Sequence, residues 1–348
     1  MISSQRKDPG NMFGAIYDFP GQMQQAIEIG ERIELNNTYE NIRNIVVAGM
    51  GGSAIGGDVV RMLIKDDLNI PFVVSRNYTL PNWVNENTLV ICSSYSGNTE
   101  ETLSAYEEAQ AKKAQICGIS TGGVLSEKLN AAGLDLVSIP AGLQPRAALA
   151  FSFIPMLFLL QKIGLIGDGF RVGLESAIET LSVEREKYSV EDEKNPTYKL
   201  ARKIYNTIPI IYGEADSTAI IACRWKGQFC ENAKMLAYAN ELPEMNHNEI
   251  VGWENNASLF SDLSVIWLVD ESNHPRVSLR QKVTQSILQD LVPRQQTVSF
   301  TGNNRIERLI HQIHFGDWVS YWCAMAHNTD PSPVKKIDLL KNELKKHE

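Results

Sequence analysis

The feature that most restricts the fold is a regular alternation of short apolar runs with segments of helical spacing. Runs rich in β-branched residues occur at 44–48, 71–75, 88–93, 115–119 and 134–139. Strands that alternate with helices form a parallel sheet with helices on both of its faces. We therefore predict a doubly wound α/β domain in this part of the chain.

A second series of the same kind follows in the other half. Apolar runs predict further strands at 208–213, 263–269 and 297–301, and helical patterns predict helices over 217–239, 275–291 and 305–326. The two series begin alike, with IVVAGMGGSAI in the first and PIIYGEADSTAI in the second. Each start has an apolar strand, a glycine, a short loop and a Ser/Thr-Ala pair that opens a helix. This likeness indicates an internal duplication.

The length of 348 residues fits two domains, since a domain takes roughly 150 residues. Glycines at 164, 167 and 169 precede a charged helical stretch without strand character, which reads as a connection. We predict one domain with an N-terminal helical segment over 1–165 and a connection over 166–195. A second domain is predicted over 196–330, followed by a C-terminal helix over 331–348.

Composition argues against several classes of partner. The net charge of −8 speaks against a broad nucleic-acid surface. The longest apolar stretch, 147–160, contains Ser152 and Pro155 and is too short to span a bilayer. The chain start has no apolar leader core, and the five scattered cysteines form no CxxC motif. Six histidines without metal-ligand spacing predict no metal site. We expect a cytoplasmic protein without nucleic-acid or membrane partners.

A glycine-rich turn follows the first strand, at Gly49-Met50-Gly51-Gly52-Ser53-Ala54. Glycine lets the backbone approach a ligand closely, and the helix that follows directs free N–H groups and a positive dipole end towards an anion. The turn also fits the dinucleotide fingerprint G-x-G-x-x-A, so a nicotinamide-dependent enzyme stays open as an alternative.

A second turn, after the 88–93 strand, carries the hydroxyls of Ser94, Ser96 and Thr99 at the start of another helix. Three hydroxyls beside a helix N-terminus can bind a phosphate monoester without a lysine or arginine. Serine and threonine also cap helices, but capping accounts for one of these hydroxyls rather than three. A dinucleotide enzyme has no use for this second cluster.

Together, 49–54 and 94–102 resemble the loops of SIS (sugar isomerase) proteins, and specifically those of the bifunctional phosphoglucose/phosphomannose isomerase family. The resemblance runs from the first strand to the C-terminal helix. It implies two SIS-type domains and an isomerase that interconverts glucose 6-phosphate, and with it mannose 6-phosphate, with fructose 6-phosphate without a cofactor. It also implies that the phosphate is bound by Gly51, Gly52, Ser53, Ser94, Ser96 and Thr99.

Aldose–ketose isomerisation needs a carboxylate base and an acid/base for ring opening. The resemblance implies Glu231, in Glu-Asn-x-Lys, as the base and His247, in Asn-His-Asn-Glu, as the ring-opening histidine. The family's histidine serves the neighbouring subunit, which implies a homodimer with a shared active site. By helical spacing Trp225, Phe229 and Leu236 share a buried face that excludes Glu231. A solvated glutamate and a histidine held by a loop hydrogen bond are the ordinary alternatives.

Two cations complete the expected site. Arg146 follows Pro145 at a helix start, where a positive charge opposes the helix dipole. The resemblance implies that Arg146 steadies the enediolate, and a plain surface arginine is the alternative. It also implies a ring-side lysine, for which Lys341 in Ile-Asp-x-Leu-Lys is preferred to Lys336. The family's mannose-admitting threonine lies two turns before that lysine, where this chain has Val334, which argues against the mannose 6-phosphate activity.

Two further functional classes compete with the isomerase. A non-catalytic sugar-phosphate-binding SIS protein would keep the phosphate loops and lose the acid/base pair, whereas this chain has both Glu231 and His247. A synthase of the SIS class would need a glutaminase domain with an N-terminal nucleophilic cysteine, which the sequence does not contain.

Overall fold

The computed structural model describes residues 7–292 and 294–347, which form two compact units. The N-terminal unit consists of Asp18–Ser182 and Gly302–Glu307. The C-terminal unit consists of Val183–Thr301, the segment that ends at Tyr17 and the segment that begins at Arg308. The expectation of no leader at the chain start rests partly on residues 1–6, which lie outside the described residues.

The N-terminal unit is built on a parallel sheet of five strands in the order β2-β1-β3-β4-β5. Val46 of β1, the second strand in this order, lies opposite Val73 on one side and Val90 on the other. The strands are β1 (Asn44–Ala48), β2 (Phe72–Ser75), β3 (Thr88–Ser94), β4 (Gln115–Ser120) and β5 (Asp135–Ser138). All seven residues of β3 are buried, as expected for a strand covered on both faces.

Helices cover both faces of this sheet. Helix α1 (Met12–Tyr17) belongs to the C-terminal unit. The next helices along the chain are α2 (Phe19–Glu31), α3 (Gly51–Leu63), α4 (Glu100–Ala111), α5 (Gly123–Ala131), α6 (Leu149–Ile163) and α7 (Phe170–Tyr188). Every residue of α6 from Leu149 to Leu160 is buried, and this helix packs against α2 and α3. The apolar stretch that composition singled out is therefore a core helix.

The C-terminal unit repeats the architecture with four parallel strands in the order β7-β6-β8-β9. The strands are β6 (Ile208–Glu214), β7 (Tyr238–Leu242), β8 (Leu263–Leu268) and β9 (Gln295–Val298). Its further helices are α8 (Pro196–Ile204), α9 (Thr218–Gln228), α10 (Pro275–Ile287), α11 (Arg305–Ala326) and α12 (Lys335–Leu344). Two doubly wound parallel sheets and the C-terminal helix confirm the predicted fold class.

The predicted long helix over 217–239 is wrong. Helix α9 ends at Gln228, a π-helical segment occupies Phe229–Ala233, and the chain then turns into strand β7. Lys234 ends the helix in the left-handed conformation, with φ 58°. Trp225 and Phe229 are fully buried as expected, but Leu236 lies beyond the helix and is 63% exposed.

The division into units differs in detail from the predicted domains. The segment that ends at Tyr17 groups with the C-terminal unit, because the described part of α1 packs there through Phe13, whose ring lies edge-on to Trp318 at 5.2 Å. The later division lies between Ser182 and Val183, inside α7, within the predicted connection. Across the described residues, the helices are too short or too polar to cross a bilayer.

Candidate active site

Two neighbouring strands of the N-terminal unit end beside each other and lead into the two candidate loops. Strand β1 pairs with β3, and the chain leaves them towards opposite sides of the sheet, since β2 lies beyond β1 while β4 and β5 lie beyond β3. Such a point, outside the carboxyl ends of the strands, is where open α/β sheets bind ligands. The structure thus places Gly51–Ser53 and Ser94–Thr99 at a ligand-binding position of the fold.

The start of α3 is shaped to receive an anion. Gly51 has φ 50°, in the left-handed region that favours glycine. Met50 is the N-cap residue and makes no side-chain hydrogen bond to the helix, and the first turn has no acidic residue. The first-turn N–H groups of α3 therefore have no side-chain cap to satisfy them, which favours a bound anion.

The hydroxyls of the second loop lie close together. Ser94 Oγ is 2.9 Å from Thr99 Oγ1 and accepts a hydrogen bond from the Gly97 N–H at 3.1 Å. Ser96 Oγ accepts from the Asn98 N–H at 3.2 Å. Thr99 is the N-cap residue of α4, yet its side chain makes no capping hydrogen bond. Capping therefore does not account for the Thr99 hydroxyl.

The two loops are joined through Ser53. Its Oγ accepts a hydrogen bond from the Tyr95 N–H at 3.2 Å, and its side chain is buried. The second loop is less favourable for a bound anion than the first, because the carboxylates of Glu100 and Glu101 occupy the first turn of α4. The start of α3 is thus the better place for the negative charge of a phosphate, with the hydroxyls as added donors.

Arg146 belongs to the same neighbourhood. It lies in a 3₁₀ turn, Pro145–Ala147, and is only 4% exposed, so the alternative of a plain surface arginine is wrong. A Cβ added at Gly52 would lie 2.7 Å from the Pro145 carbonyl oxygen. The Tyr95 hydroxyl accepts a hydrogen bond from the Leu143 N–H at 3.0 Å, which ties this turn to the second loop as well. The structure therefore brings Gly51, Gly52, Ser53, Ser94, Ser96, Thr99 and Arg146 together.

Glu231 lies in the C-terminal unit, in the π-helical segment that follows α9. It is half-buried, and its backbone carbonyl accepts a hydrogen bond from Lys234 Nζ. Lys234 Nζ also donates to the Pro331 carbonyl at 2.8 Å. Such π segments are rare and are frequent at functional sites. The glutamate is thus on an ordered, distorted helix end rather than on a regular solvated helix.

His247 is exposed at the end of a 3₁₀ turn, Glu244–His247, and its two asparagine neighbours fix the turn. Asn246 Nδ2 donates to Thr284 Oγ1 at 2.8 Å, and Asn248 Nδ2 donates to Glu244 Oε1 at 2.6 Å. The motif therefore holds its backbone with the asparagines and leaves the imidazole at the surface.

Lys341 and Lys336 both lie on α12, whose described side chains are all exposed. Val334 is the N-cap residue of this helix. The choice of Lys341 over Lys336 stays a prediction. Glu231, His247 and Lys341 thus lie on three separate elements of the C-terminal unit. Among the described residues, no group of three or more histidine, cysteine, aspartate or glutamate side chains is arranged to hold a metal ion.

Sequence reasoning missed the buried side chains next to the helix end that carries Glu231. Arg224 and Asp317 form an ion pair that is nearly excluded from solvent, at 4% and 6% side-chain exposure. These residues are 93 positions apart, and neither lies in a recognisable motif. Only the buried helix spacing around Trp225 hinted that polar residues of α9 could face inwards.

Comparison with known proteins decides the family. Residues 38–139 match the SIS domain, and residues 193–344 match the bacterial phospho-glucose isomerase C-terminal SIS domain. A bifunctional phosphoglucose/phosphomannose isomerase from Caldicellulosiruptor bescii is 46% identical over 335 residues, covering 96% of this chain and 98% of the relative. This chain belongs to the bifunctional phosphoglucose/phosphomannose isomerase family. It is therefore an isomerase, and the alternatives of a nicotinamide-dependent enzyme and of a non-catalytic SIS protein are set aside.

Further comparisons agree with this family. A protein of the same name from Aquifex aeolicus is 40% identical and covers 88% of this chain and 91% of its own length. The solved structure of a hypothetical protein from Thermus thermophilus has a TM-score of 0.74 at 14% identity, covering 99% of this chain and 92% of that one. At that identity the last likeness shows the fold alone. The SIS match contains both candidate phosphate loops, and the C-terminal match contains Glu231, His247 and Lys341.

Proposed function

We propose that this isomerase interconverts glucose 6-phosphate and mannose 6-phosphate with fructose 6-phosphate. The observation that carries the proposal is the hydroxyl-lined loop of Ser94 and Thr99 beside the uncapped start of α3, with the buried Arg146 next to it. These groups suit a phosphate monoester, and the relatives at 46% and 40% identity are named for both substrates. The reaction would serve carbohydrate metabolism, in glycolysis and gluconeogenesis.

The proposed chemistry moves one proton between two carbons. His247 opens the sugar ring, and Glu231 removes the proton from C2 of the open-chain aldose. The electrons of the C2–H bond form the C1=C2 bond, while those of the carbonyl move to O1 and give a cis-enediolate. A proton passes from O2 to O1, and Glu231 returns its proton to C1, which leaves the carbonyl at C2.

The cations support this route. Arg146 stabilises the charge on the enediolate oxygens, because a buried guanidinium acts in a medium of lower dielectric than water. Lys341 acts at the ring oxygen. The phosphate does not react, so Gly51, Gly52, Ser53, Ser94, Ser96 and Thr99 hold it equally in the ground and transition states.

We also propose a homodimer in which His247 serves the partner's site. The exposed position of His247 suits a residue that acts on a neighbouring copy. Helix α10 supports the presence of a partner, since Leu279, Val283 and Ile287 are each about half exposed at a spacing of four while Gln281 and Thr284 of the same helix are buried. A second copy that covers this stripe would remove apolar surface from water.

A cytoplasmic location is part of the proposal. All five cysteines are free, and three of them, Cys92, Cys117 and Cys323, are buried. Free thiols are usual in compartments that keep cysteine reduced.

The test is a coupled assay with each of the three sugar phosphates on the wild type and on Glu231→Gln. The amide keeps the shape of the carboxylate and cannot take a proton from carbon, so kcat should fall by about 10²- to 10⁴-fold or more while KM changes little. Glu241→Gln is the matched control, because Glu241 is an exposed carboxylate of the same unit. A Glu231→Gln enzyme with more than about half of the wild-type kcat would remove this residue from the mechanism.

The same assay tests the substrate assignment through the rates with glucose 6-phosphate and mannose 6-phosphate. Activity on glucose 6-phosphate without any on mannose 6-phosphate would reduce the proposal to one aldose substrate. It would also agree with the sequence argument that Val334, in place of the family's threonine, excludes mannose 6-phosphate. Turnover of neither sugar phosphate would refute the proposed function.

A further inference from the structure

The helix end that carries Glu231 is tied to α11 on both sides of the glutamate. Before it, Gln228 Nε2 donates to Asp317 Oδ1 at 2.8 Å. After it, Asn232 Nδ2 donates to Ser320 Oγ at 2.9 Å. Gln228, Asn232, Asp317 and Ser320 are all at most 4% exposed. Glu231 is thus a half-exposed residue between two buried anchors.

The anchors on α11 are themselves fixed. Arg224 grips the Asp317 carboxylate with two hydrogen bonds, Nε to Oδ1 at 3.1 Å and Nη2 to Oδ2 at 2.6 Å. Ser320 Oγ donates to the Asp317 carbonyl at 2.7 Å, which leaves its lone pairs for Asn232. Two-point arginine–carboxylate contacts fix orientation as well as distance. The network therefore fixes both the orientation of the π segment and its position along α11.

The two helices also touch too closely to slide. Trp225 Nε1 donates to the Gln312 carbonyl at 3.0 Å, and a Cβ added at Gly316 would lie 1.9 Å from the same nitrogen. Gln312, Gly316, Asp317 and Ser320 follow one another at helical spacing and form one face of α11. A buried network whose members are all paired is rigid, and it is costly to disturb.

We propose that Ser320 is a positioning residue for Glu231: together with Asp317 it holds the π segment Phe229–Ala233 so that the carboxylate meets the substrate's C–H bond. This inference rests on the proposed function, in which Glu231 is the base. A regular helix is stable without side-chain hydrogen bonds to a second helix on either side of one residue. Here two such hydrogen bonds join residues that are 88 and 89 positions apart in the sequence. The network therefore determines the position of the reacting group, beyond its part in stability.

The principal test is Ser320→Ala, which removes one buried hydroxyl and leaves the Asn232 amide without its partner. Misplacement of a reacting group by about 1 Å costs on the order of 10²-fold in rate, so a smaller shift should lower kcat by about tenfold with KM unchanged. The deuterium isotope effect on kcat, measured with glucose 6-phosphate deuterated at C2, should rise because the proton transfer becomes slower relative to the other steps.

Ser264→Ala is the matched control. Ser264 is fully buried in the same unit, and its Oγ makes one side-chain hydrogen bond, to Thr207 Oγ1 at 2.7 Å. Both variants should lose similar thermal stability, and Ser264→Ala should keep the wild-type kcat and isotope effect. If Ser320→Ala also keeps them, or if both variants lose kcat equally, the positioning role is refuted.

A second variant and a double mutant separate a positioning role from a loss of folding. Gln228→Met removes the tie before Glu231 and preserves side-chain length, so it replaces Ser320→Ala if that variant fails to fold, with the same expected kinetics. In the Glu231→Gln background, Ser320→Ala should cause no further loss of kcat, because there is no base left to position. An active Glu231→Gln enzyme removes Glu231 as the base and with it the premise of this inference, whereas an inactive one with a normal Ser320→Ala enzyme refutes only the positioning role.

Discussion

Gly52 offers a sharp test of the phosphate-binding loops. A Cβ at this position would lie 2.7 Å from the Pro145 carbonyl oxygen, whereas ordinary van der Waals contact begins at 3.4 Å. In Gly52→Ala the start of α3 must therefore move away from the turn of Arg146 by about 0.7 Å, the difference between 3.4 and 2.7 Å. The first-turn N–H groups and the guanidinium cannot both keep their positions.

The size of the effect follows from this displacement. Because about 1 Å of misplacement costs on the order of 10²-fold, Gly52→Ala should lower kcat/KM by about 10- to 100-fold. Overpacking should also destabilise the protein by about 1–3 kcal/mol. The gain of alanine over glycine in a helix, about 0.5–1 kcal/mol, offsets part of that loss.

Gly56→Ala is the control on the same helix. Its Cβ would lie 2.5 Å from Ser152 Cβ, in the contact between α3 and α6 and away from the loops. We expect a comparable fall in melting temperature with kcat/KM within about twofold of wild type. Both variants are assayed by the glucose 6-phosphate formed from fructose 6-phosphate. A Gly52→Ala enzyme that loses melting temperature and keeps its kcat/KM would show that the phosphate is bound elsewhere.

Three other predictions concern binding, assembly and pH. Ser96→Ala and Thr99→Ala should each raise KM by about 10- to 150-fold with little change in kcat, because each lost hydrogen bond to a charged oxygen costs about 1.5–3 kcal/mol. A fixed KM with a lower melting temperature would make these residues structural. An equal mixture of inactive Glu231→Gln and His247→Ala subunits, exchanged by refolding, should recover about a quarter of wild-type activity, because about half of the dimers are mixed and each has one intact site. A silent mixture of exchanged subunits contradicts the shared site. Burial lowers the pKa of His314 to about 3, whereas the unfolded chain protonates it below about pH 6.5, so the unfolded state binds more protons and stability falls as the pH drops from 6.5 towards 3. Urea unfolding at pH 6 and pH 5 should show a shallower fall for His314→Gln, by about 1.4 kcal/mol per pH unit, and equal slopes would exclude this residue as the cause.

Burial decides which strands could be found in the sequence. Strand β3 is buried at every position and contains the continuous apolar run 89–92, so it was predicted almost to the residue. Strand β7 is an edge strand with the sequence YANEL, and Tyr238 and Glu241 are exposed. An edge strand needs few apolar residues, and the sequence pattern therefore merged it into the preceding helix.

The helix end at Lys234 had no local signal either. A left-handed residue after a helix is usually glycine, and here it is a lysine whose Nζ binds the Pro331 carbonyl, 97 residues away. The same reason hides the ties around Glu231, because they join residues far apart in sequence. The two candidate phosphate loops could be located in the sequence because their glycines and hydroxyls directly follow strands, whereas the burial of Arg146 is a property of the packed structure.

Helix α12, which carries Lys341, is short and exposed, and this has a consequence for its order. An isolated helix of its ten residues has little stability of its own in water, since helices shorter than about 12–15 residues are marginal there. Its described side chains are all exposed, including Ile337, Leu340 and Leu344, which share one face at spacings of three and four. The ordering of α12 must therefore draw its free energy from whatever covers that face. If Lys341 acts at the ring oxygen as proposed, amide hydrogen exchange along 335–344 should slow when this face is covered and the lysine is held in place.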